Sequence, residues 1–365
     1  MAIEGILLVC SLIYRGLTDY EGAADLFWYA MRIMFLISII ILFMMVTLKS
    51  FLTKKIISPL ESIFATNQRL QNSDPTARQV VLPQDAPREI KEIVTSRAQM
   101  LDTILKISDR IRQSLNLARD VQQNLLPKGN LKIDGLDIAG KSIYCDETGG
   151  DYYDFLILDT SKNKKIGVAI GDVSGHGIPS ALLMATARSS LRQRLSFPGS
   201  TAQIITDVNL QLVHDIEDSG QFMTMFFMTI DTANQKLQWV RAGHDPGIFY
   251  DPVTDKFAEL KGPGMALGVS EDLQYEMNKR TGLTKGQIIV LSTDGVWEAH
   301  NSDGEIFGKT RIYEIIRRNA TKKAQEIIET VFVALNQFQN NSKTEDDITL
   351  VVVKIDTDLE KFDGV

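Results

Sequence analysis

Cysteine is nearly absent: Cys10 and Cys145 are the only two in 365 residues. That excludes a disulfide framework and a cysteine-ligated zinc site. Neither opens a Cys-x5-Arg loop, since Asp151 and Gly16 occupy the arginine positions, so cysteine-based phosphatase chemistry is excluded too. Basic residues are also short, with 39 Lys and Arg against 46 Asp and Glu and a net charge of −7. With no basic stripe to neutralise phosphates, no nucleic-acid partner is expected. The glycine-bearing "GDVSGHG" (171–177) is neither a Gly-x-Gly-x-x-Gly fingerprint nor a Walker loop, and a Gly-x-Ser-x-Gly elbow is missing. There is no internal repeat and no low-complexity tract. What remains, 44% apolar and 23% charged, describes an ordinary folded protein with room for two or three domains.

The averages conceal a segment read as membrane-spanning, with a buried core helix as the alternative. "IMFLISIIILFMMVTL" (33–48) carries no charge, and "LFWYAM" (26–31) precedes it across the single Arg32. A span over 26–48 follows, with Trp28 and Tyr29 at the interface, Arg32 snorkelling and lipid around the whole segment. Lys49, Lys54 and Lys55 lie just beyond it. The positive-inside bias therefore puts the downstream chain in the cytoplasm, tethered to the cytoplasmic membrane by one span. Residues 1–25 stay unassigned: "GILLVCSLIY" (5–14) is about half the ~20 residues a span needs, and no basic residue precedes it as a signal peptide requires.

Beyond the membrane, "TKKIISPLESIFATNQRLQN" (53–72) has helical apolar spacing, with Pro59 tolerable only near a helix start. A Pro-, Asp- and Gln-rich loop follows. Stepping 4,3,4,3 from Ile90 then reaches Val94, Arg97, Leu101, Ile104, Ser108, Ile111, Leu115, Ala118, Gln122 and Leu125, a mostly apolar seam. A parallel homodimer through the 90–125 helix would bury it; a helix lying on its own domain is the alternative. Ile56, Pro59, Leu60, Glu89 and Ile90, placed directly after a span, resemble the HAMP signalling linker of bacterial receptors. The expected organisation is a HAMP-like linker over 49–100, a coiled-coil regulatory helix over 101–127 and a catalytic domain over 128–365.

From Pro127 the pattern turns β-rich. Strands are expected over 136–144, 151–159, 165–173, 224–231, 236–243, 287–295 and 346–356, and helices over 179–195, 201–217, 309–318 and 322–339. The hairpin-sized "TANQ" between 231 and 236 makes the sheet at least partly antiparallel. Strand runs with helices paired between them indicate an α+β layered fold.

Four acidic clusters share one grammar, an apolar strand beside an aspartate, usually with glycine at hand. They are "TGGDYYD" (148–154), "AIGDVSGHG" (169–177), "LSTDGVWE" (291–298) and "TEDDITLVVV" (344–353). Aspartates gathered at strand ends repel one another and raise their own pKa values unless something positive lies among them. No regularly placed Lys or Arg offers itself there. Carboxylate-rich, histidine-poor ligation selects Mg²⁺ or Mn²⁺. Two such ions ~3.5–4 Å apart can clamp a phosphoryl group and turn a bridging water into a nucleophile.

"GGDYYD", "GDVSGHGIPSALLMA", "AGHDPGIFY", "STDGVWEAHNSDGEIFG" and "DDITLVVV", in this order over 127–356, resemble the SpoIIE/RsbU-type branch of the PPM metal-dependent serine/threonine phosphatases. The resemblance implies an α-β-β-α sandwich of two antiparallel sheets flanked by helices, with two divalent cations, Mn²⁺ or Mg²⁺, in a cleft at one edge. It also implies a phosphoserine or phosphothreonine substrate on a STAS-type anti-sigma antagonist. By position, Asp151 and Asp172 are expected as central metal ligands with the Val173 carbonyl beside them, and Asp294 and Asp346 as ligands of the second ion. Of Asp346 and Asp347, one should turn away from the site. Asp154 is read as supporting the ligands rather than joining them. His176 is a candidate proton donor to the leaving alkoxide, with a structural hydrogen bond as its other reading; His244 is expected to fix a turn. "LARDVQQNLLP" (117–127) matches the helix before such domains, and its movement is expected to alter metal occupancy. The alternatives are a non-catalytic sensor on the same fold and a hydrolase of small phosphate esters.

Overall fold

The computed structural model describes residues 10–11, 14, 23–71, 79–128, 132–158, 165–217, 219–340 and 344–356. The chain divides into two compact units, residues 1–111 and 112–365.

In the first unit, helix α1 (Ala23–Leu52) carries the apolar run, and the side chains of Phe35, Leu42, Phe43 and Met45 stand exposed along it. Thirty residues reach about 45 Å, more than the ~30 Å hydrocarbon core, and this is the one described helix apolar and long enough to cross a membrane. A π-helical turn (Thr53–Ile57) joins it to α2 (Ser58–Gln71), where Pro59 occupies the first turn. That is the position at which a missing backbone N–H costs least. Lys55 is hydrogen-bonded to the Asp85 carboxylate, and Arg97 Nε to Asn67 Oδ1 at 2.6 Å. The long helix α3 (Arg88–Leu125) begins here and runs on into the second unit. Met100, Ile104, Ile107 and Ile111 form an exposed stripe along it at helical spacing.

The second unit opens with β1 (Lys132–Ile133), β2 (Leu136–Ile143), β3 (Tyr152–Ile157) and β4 (Lys165–Val173), then α4 (Ile178–Arg194) and α5 (Thr201–Asp215). It continues through β5 (Met223–Asp231), β6 (Lys236–Ala242), β7 (Gly247–Asp251), β8 (Lys256–Leu260), β9 (Asn278–Thr281) and β10 (Ile288–Ser292). Helices α6 (Gly308–Arg318) and α7 (Ala324–Phe338) precede the final strand β11 (Ile348–Ile355). One sheet runs β1-β2-β11-β10-β7-β8 and the other β3-β4-β5-β6-β9, with every pairing antiparallel.

The sheets stack face to face with a helix pair outside each, the α-β-β-α order that the resemblance implies. Alternation along each strand sorts residues between layers. Val168, Ile170, Ile289, Leu291, Val351 and Val353 fill the space between the sheets. Ile288, Val290 and Val352 pack outward on Ile312, Ile327 and Val331 of α6 and α7. Ala169 and Phe227 pack outward on Met184, Ala187 and Val208 of α4 and α5. Being buried on both faces is why these strands read as unbroken apolar runs. β7, β8 and β9 lie outside the strands expected from sequence. β8 and β9 are short, polar outer strands, "KFAEL" and "NKRT", whose charge suits a sheet edge and hides the strand period.

Candidate metal centre

The acidic clusters meet at one edge of the sandwich. Asp172 is the next-to-last residue of β4, opposite Thr224 of β5, and Asp151 immediately precedes β3, which pairs with β4. On the other sheet β10 stops at Ser292, short of the expected 295. Asp294 begins a 3-10 turn (Asp294–Val296) that carries its carboxylate toward the cleft. Asp346 lies in the bend before β11 rather than in the strand.

Electrostatics tie these four carboxylates together. Burial first, then the charges of Asp294, Asp346 and Asp347, push the Asp172 carboxyl up to about 8. Asp151 is 1% exposed and is raised well above the carboxylate range by burial, then by Asp172 and Asp347. Asp294 and Asp346 are also raised, each by burial and then by a neighbouring aspartate. Among the described residues, no Lys or Arg forms a salt bridge with any of the four. Repelling hard-oxygen donors with no protein cation between them match the chemistry of a Mg²⁺ or Mn²⁺ site. Among the described residues no three His, Cys, Asp or Glu side chains close around one point. Ions that keep several waters need no such cage.

The aspartate pair divides, Asp346 exposed and Asp347 buried, although both precede β11 and strand alternation does not govern them. Asp347 turns inward as a backbone staple, Oδ1 accepting from Cys145 N–H at 2.9 Å and Oδ2 from Gly150 N–H at 2.8 Å. A side chain on Gly149 would overlap Asp347 Oδ2, so glycine there permits the close approach. Val173 is buried at the end of β4, and its carbonyl lies so near Gly150 that a Cβ there would sit 2.9 Å from it. After Ser174 the chain turns through Gly175 and Gly177, both at positive φ, and Gly177 caps the N-terminus of α4 with Pro179 in its first turn.

His176 stands exposed on that turn with Nδ1 3.0 Å from Asp146 Oδ2. His244 is buried, its imidazole pushed down to about 4 by burial, with Nδ1 2.8 Å from the Thr224 hydroxyl. Its carbonyl accepts from Arg241 Nε. It therefore braces the strand beside Asp172, a larger role than fixing a turn. Glu298 is exposed at the cleft, and Asp303 lies in an Asx turn with its N–H on Asn301 Oδ1.

Asp154 departs from its expected supporting role. Two residues along β3 from Tyr152, it faces the helices and not the cleft. Fully buried, it accepts from Arg192 Nε and a second guanidinium nitrogen, both at 2.6 Å, and from the Tyr152 hydroxyl at 2.9 Å. It anchors α4.

Several residues at this edge went unread in the sequence. The Thr293 hydroxyl donates to Asp151 Oδ2 at 2.9 Å and accepts from Thr349 N–H at 3.0 Å, joining the two sheets behind the cluster. A lysine does reach the rim: Lys309 is 3.0 Å from Asp245 and lies over the Trp297 ring, while Asp245 adds to the charge felt by Asp294. Nothing in spacing connects position 309 to 245. Gln122 of α3 is the least expected. Its Nε2 donates to Gly149 O at 2.6 Å and its Oε1 accepts from Gly149 N–H at 3.2 Å, while Arg119 Nε donates to Glu147 O at 2.9 Å. The last turns of the proposed dimer seam are thus spent on the chain's own catalytic unit, where Gln122 is 5% exposed.

Comparison with known proteins agrees with this fold. The family model described as stage II sporulation protein E (SpoIIE) matches residues 162–356. The phosphoserine phosphatase RsbU of Bacillus subtilis (strain 168) is 29% identical over 252 residues, covering 69% of this chain and 73% of that protein. The phosphoserine phosphatase RsbP of the same organism is 24% identical over 246 residues, 66% of this chain but only 58% of RsbP. Among solved structures, the SiaA-PP2C domain of Pseudomonas aeruginosa superposes with a TM-score of 0.59 at 24% identity, covering 68% of this chain and 99% of that one. At that identity the likeness establishes the fold.

Proposed function

The chain belongs to the SpoIIE family, and from that premise we propose that it is a membrane-tethered, metal-dependent phosphatase of phosphoserine or phosphothreonine on a regulatory protein. The relatives named phosphoserine phosphatases support a substrate in a partner-switching system, with a STAS-type phosphoprotein as its expected form. The carrying observation is the cluster of Asp151, Asp172, Asp294 and Asp346, mutually raised in pKa with no protein cation paired to any of them.

In this reading Asp151, Asp172, Asp294, Asp346 and the Val173 carbonyl hold two Mn²⁺ or Mg²⁺ ions. Such ions supply Lewis-acid polarisation of the phosphoryl group and a water acidic enough to attack it at neutral pH. The chain's own groups do the remaining work. Thr293 orients Asp151, and Asp347 holds the loop amides of Cys145 and Gly150 in place. With Nδ1 of His176 engaged by Asp146, its Nε2 is the nitrogen that would hand a proton to the departing serine oxygen from the imidazolium form, leaving the neutral ring.

Control enters through α3. Pairing of two chains along Met100, Ile104, Ile107 and Ile111 buries the exposed stripe, and rotation of the helix pulls on Gly149 through Gln122. The apolar helix α1 keeps the assembly at the cytoplasmic membrane with the catalytic unit inside the cell.

The test assays the full chain with Mn²⁺ on phosphoserine substrates, beside Asp172→Asn and Asp294→Asn. Turnover lost in both variants is expected. Turnover unchanged by either substitution, or absent from the wild type with every metal and candidate phosphoprotein, refutes the proposal.

A further inference from the structure

A groove leaves the aspartate cluster and runs across the outer side of the first sheet. Its inner part, a cavity of about 190 Å³, is bounded by Gly295, Glu298, His300, Glu345 and Asp346. Its outer part, about 560 Å³, lies between α7 and the strands β2 and β11, against Lys141, Ile143, Phe332 and Val333. Gln339, Thr344 and Ile348 line both parts, so the two form one continuous surface starting at a proposed metal ligand.

The two parts differ in chemistry. Around the inner cavity the side chains of Glu298, Glu345 and Asp346 are acidic. The outer part mixes apolar Ile143, Phe332 and Val333 with Lys141, Glu329 and Asn336, and Val333 is 57% and Ile143 40% exposed. Lys141 lies 4.5 Å over the Phe332 ring. A phosphoryl group bound at the aspartates fills none of the outer part. The groove is an open channel leading away from the cluster, which suits a chain and not a small ester.

We propose that this groove seats the extended segment flanking the phosphorylated serine of the substrate protein. A basic residue beside the phosphoserine meets Glu298 and Glu345, and an apolar side chain farther along enters the space between Ile143 and Val333. The distance follows from the elements beneath. Phe332 to Gln339, the residue that caps α7, is seven residues at helical rise, about 10 Å, and Asp346 to Ile348 adds about 7 Å along the chain. An extended peptide covers that in four to six residues at ~3.3 Å each. The inference rests on the phosphatase reading and deepens it: the specificity of the site is written on α7 and β2, outside the metal cluster.

The experiment uses the full chain with Mn²⁺ on two probes. One is p-nitrophenyl phosphate; the other is a set of synthetic phosphoserine peptides with leucine or aspartate placed at each position up to six residues either side. The wild type is expected to favour leucine over aspartate by at least tenfold in kcat/KM at one position four to six residues from the phosphoserine. Val333→Glu and Ile143→Glu should each abolish that preference through KM, with p-nitrophenyl phosphate turnover unchanged. Val253→Glu, on the exposed turn between β7 and β8, should leave both probes as in the wild type. Normal p-nitrophenyl phosphate turnover with no positional preference, or with a preference indifferent to both groove variants, overturns the groove while leaving the phosphatase reading intact. A wild type inert on both probes overturns the phosphatase reading and this inference with it.

Discussion

Replacing Asp172 by asparagine removes one charge from a place where burial and three other carboxylates oppose it, so the metal-free protein should become more stable. The magnitude follows from linkage. An unfolded aspartate titrates near ~3.9, and the folded one is pushed up to about 8. Between those values the folded state binds the proton more tightly, so this group stabilises the fold at low pH and loses that contribution as pH rises toward 8. At pH 7 the loss is about three pH units at ~1.4 kcal/mol each, roughly 4 kcal/mol. That is a ceiling, because a proton on any neighbouring aspartate relieves the same repulsion. Half of it, at ~2–4 °C per kcal/mol for a domain of this size, gives roughly 4–8 °C in Tm. The assay is thermal unfolding of the full chain in EDTA, followed by tryptophan fluorescence between pH 5 and 8. Wild-type Tm should fall as pH rises across that window, and Asp172→Asn should flatten the slope and lie above the wild type at pH 7.5. Added Mn²⁺ should raise the wild-type Tm far more than the variant's. A variant no more stable than the wild type in EDTA, or a wild-type Tm that climbs from pH 5 to 8, would refute the account of the cluster as a set of charges awaiting a cation.

Three further outcomes follow from the contacts around the site. Gln122→Ala deletes two hydrogen bonds to Gly149, one of them at 2.6 Å, so the Mn²⁺ concentration for half-maximal activity should rise about tenfold. Its kcat at saturating Mn²⁺ should be unaltered; a metal titration superimposable on the wild type would break the link between helix and site. Arg192→Met leaves the buried Asp154 carboxylate with the Tyr152 hydroxyl and the Phe155 N–H but no cation nearer than Arg188 at 3.9 Å, at a cost of about 3 kcal/mol, or roughly 6–12 °C in Tm. Adding Asp154→Asn to it should recover most of that loss, and a double variant no better than the single one would contradict the buried-pair account. Ile104→Asp with Ile111→Asp puts two charges into the exposed stripe of α3, and light scattering in detergent should then report half the wild-type protein mass. An unchanged mass would remove the stripe as the dimer seam.

The four aspartates and the layered fold were readable from sequence for one physical reason. Asp172 and Asp294 lie at or just after the ends of buried strands, and Asp151 and Asp346 lie just before the starts of two others, so each apolar run meets a charge at one end, a local pattern that needs no knowledge of distant residues. The pattern failed where side-chain period and burial part company. β8 and β9 are outer strands that bury little, and Asp294 and Asp346 lie in turns beyond the strand ends that the apolar run alone would extend over. Partners that meet across the fold carried no signal at all: Thr293 with Asp151, Lys309 with Asp245, Asp347 with Gly150.

Gln122 shows how a local reading can mislead and still point at function. In the heptad frame it is a polar residue at an apolar position, which ordinarily sets the register of a coiled coil at some cost in stability. In the fold the same side chain is buried against Gly149, where an amide can both donate to and accept from one peptide unit. A leucine there would serve the seam and leave both Gly149 groups without that partner. The next residues toward Asp347 are held by a carboxylate that itself touches Gly150, so helix, loop and Asp151 form one short hydrogen-bonded chain. A polar interruption in an otherwise apolar seam is therefore the place where α3 holds the loop at Gly149.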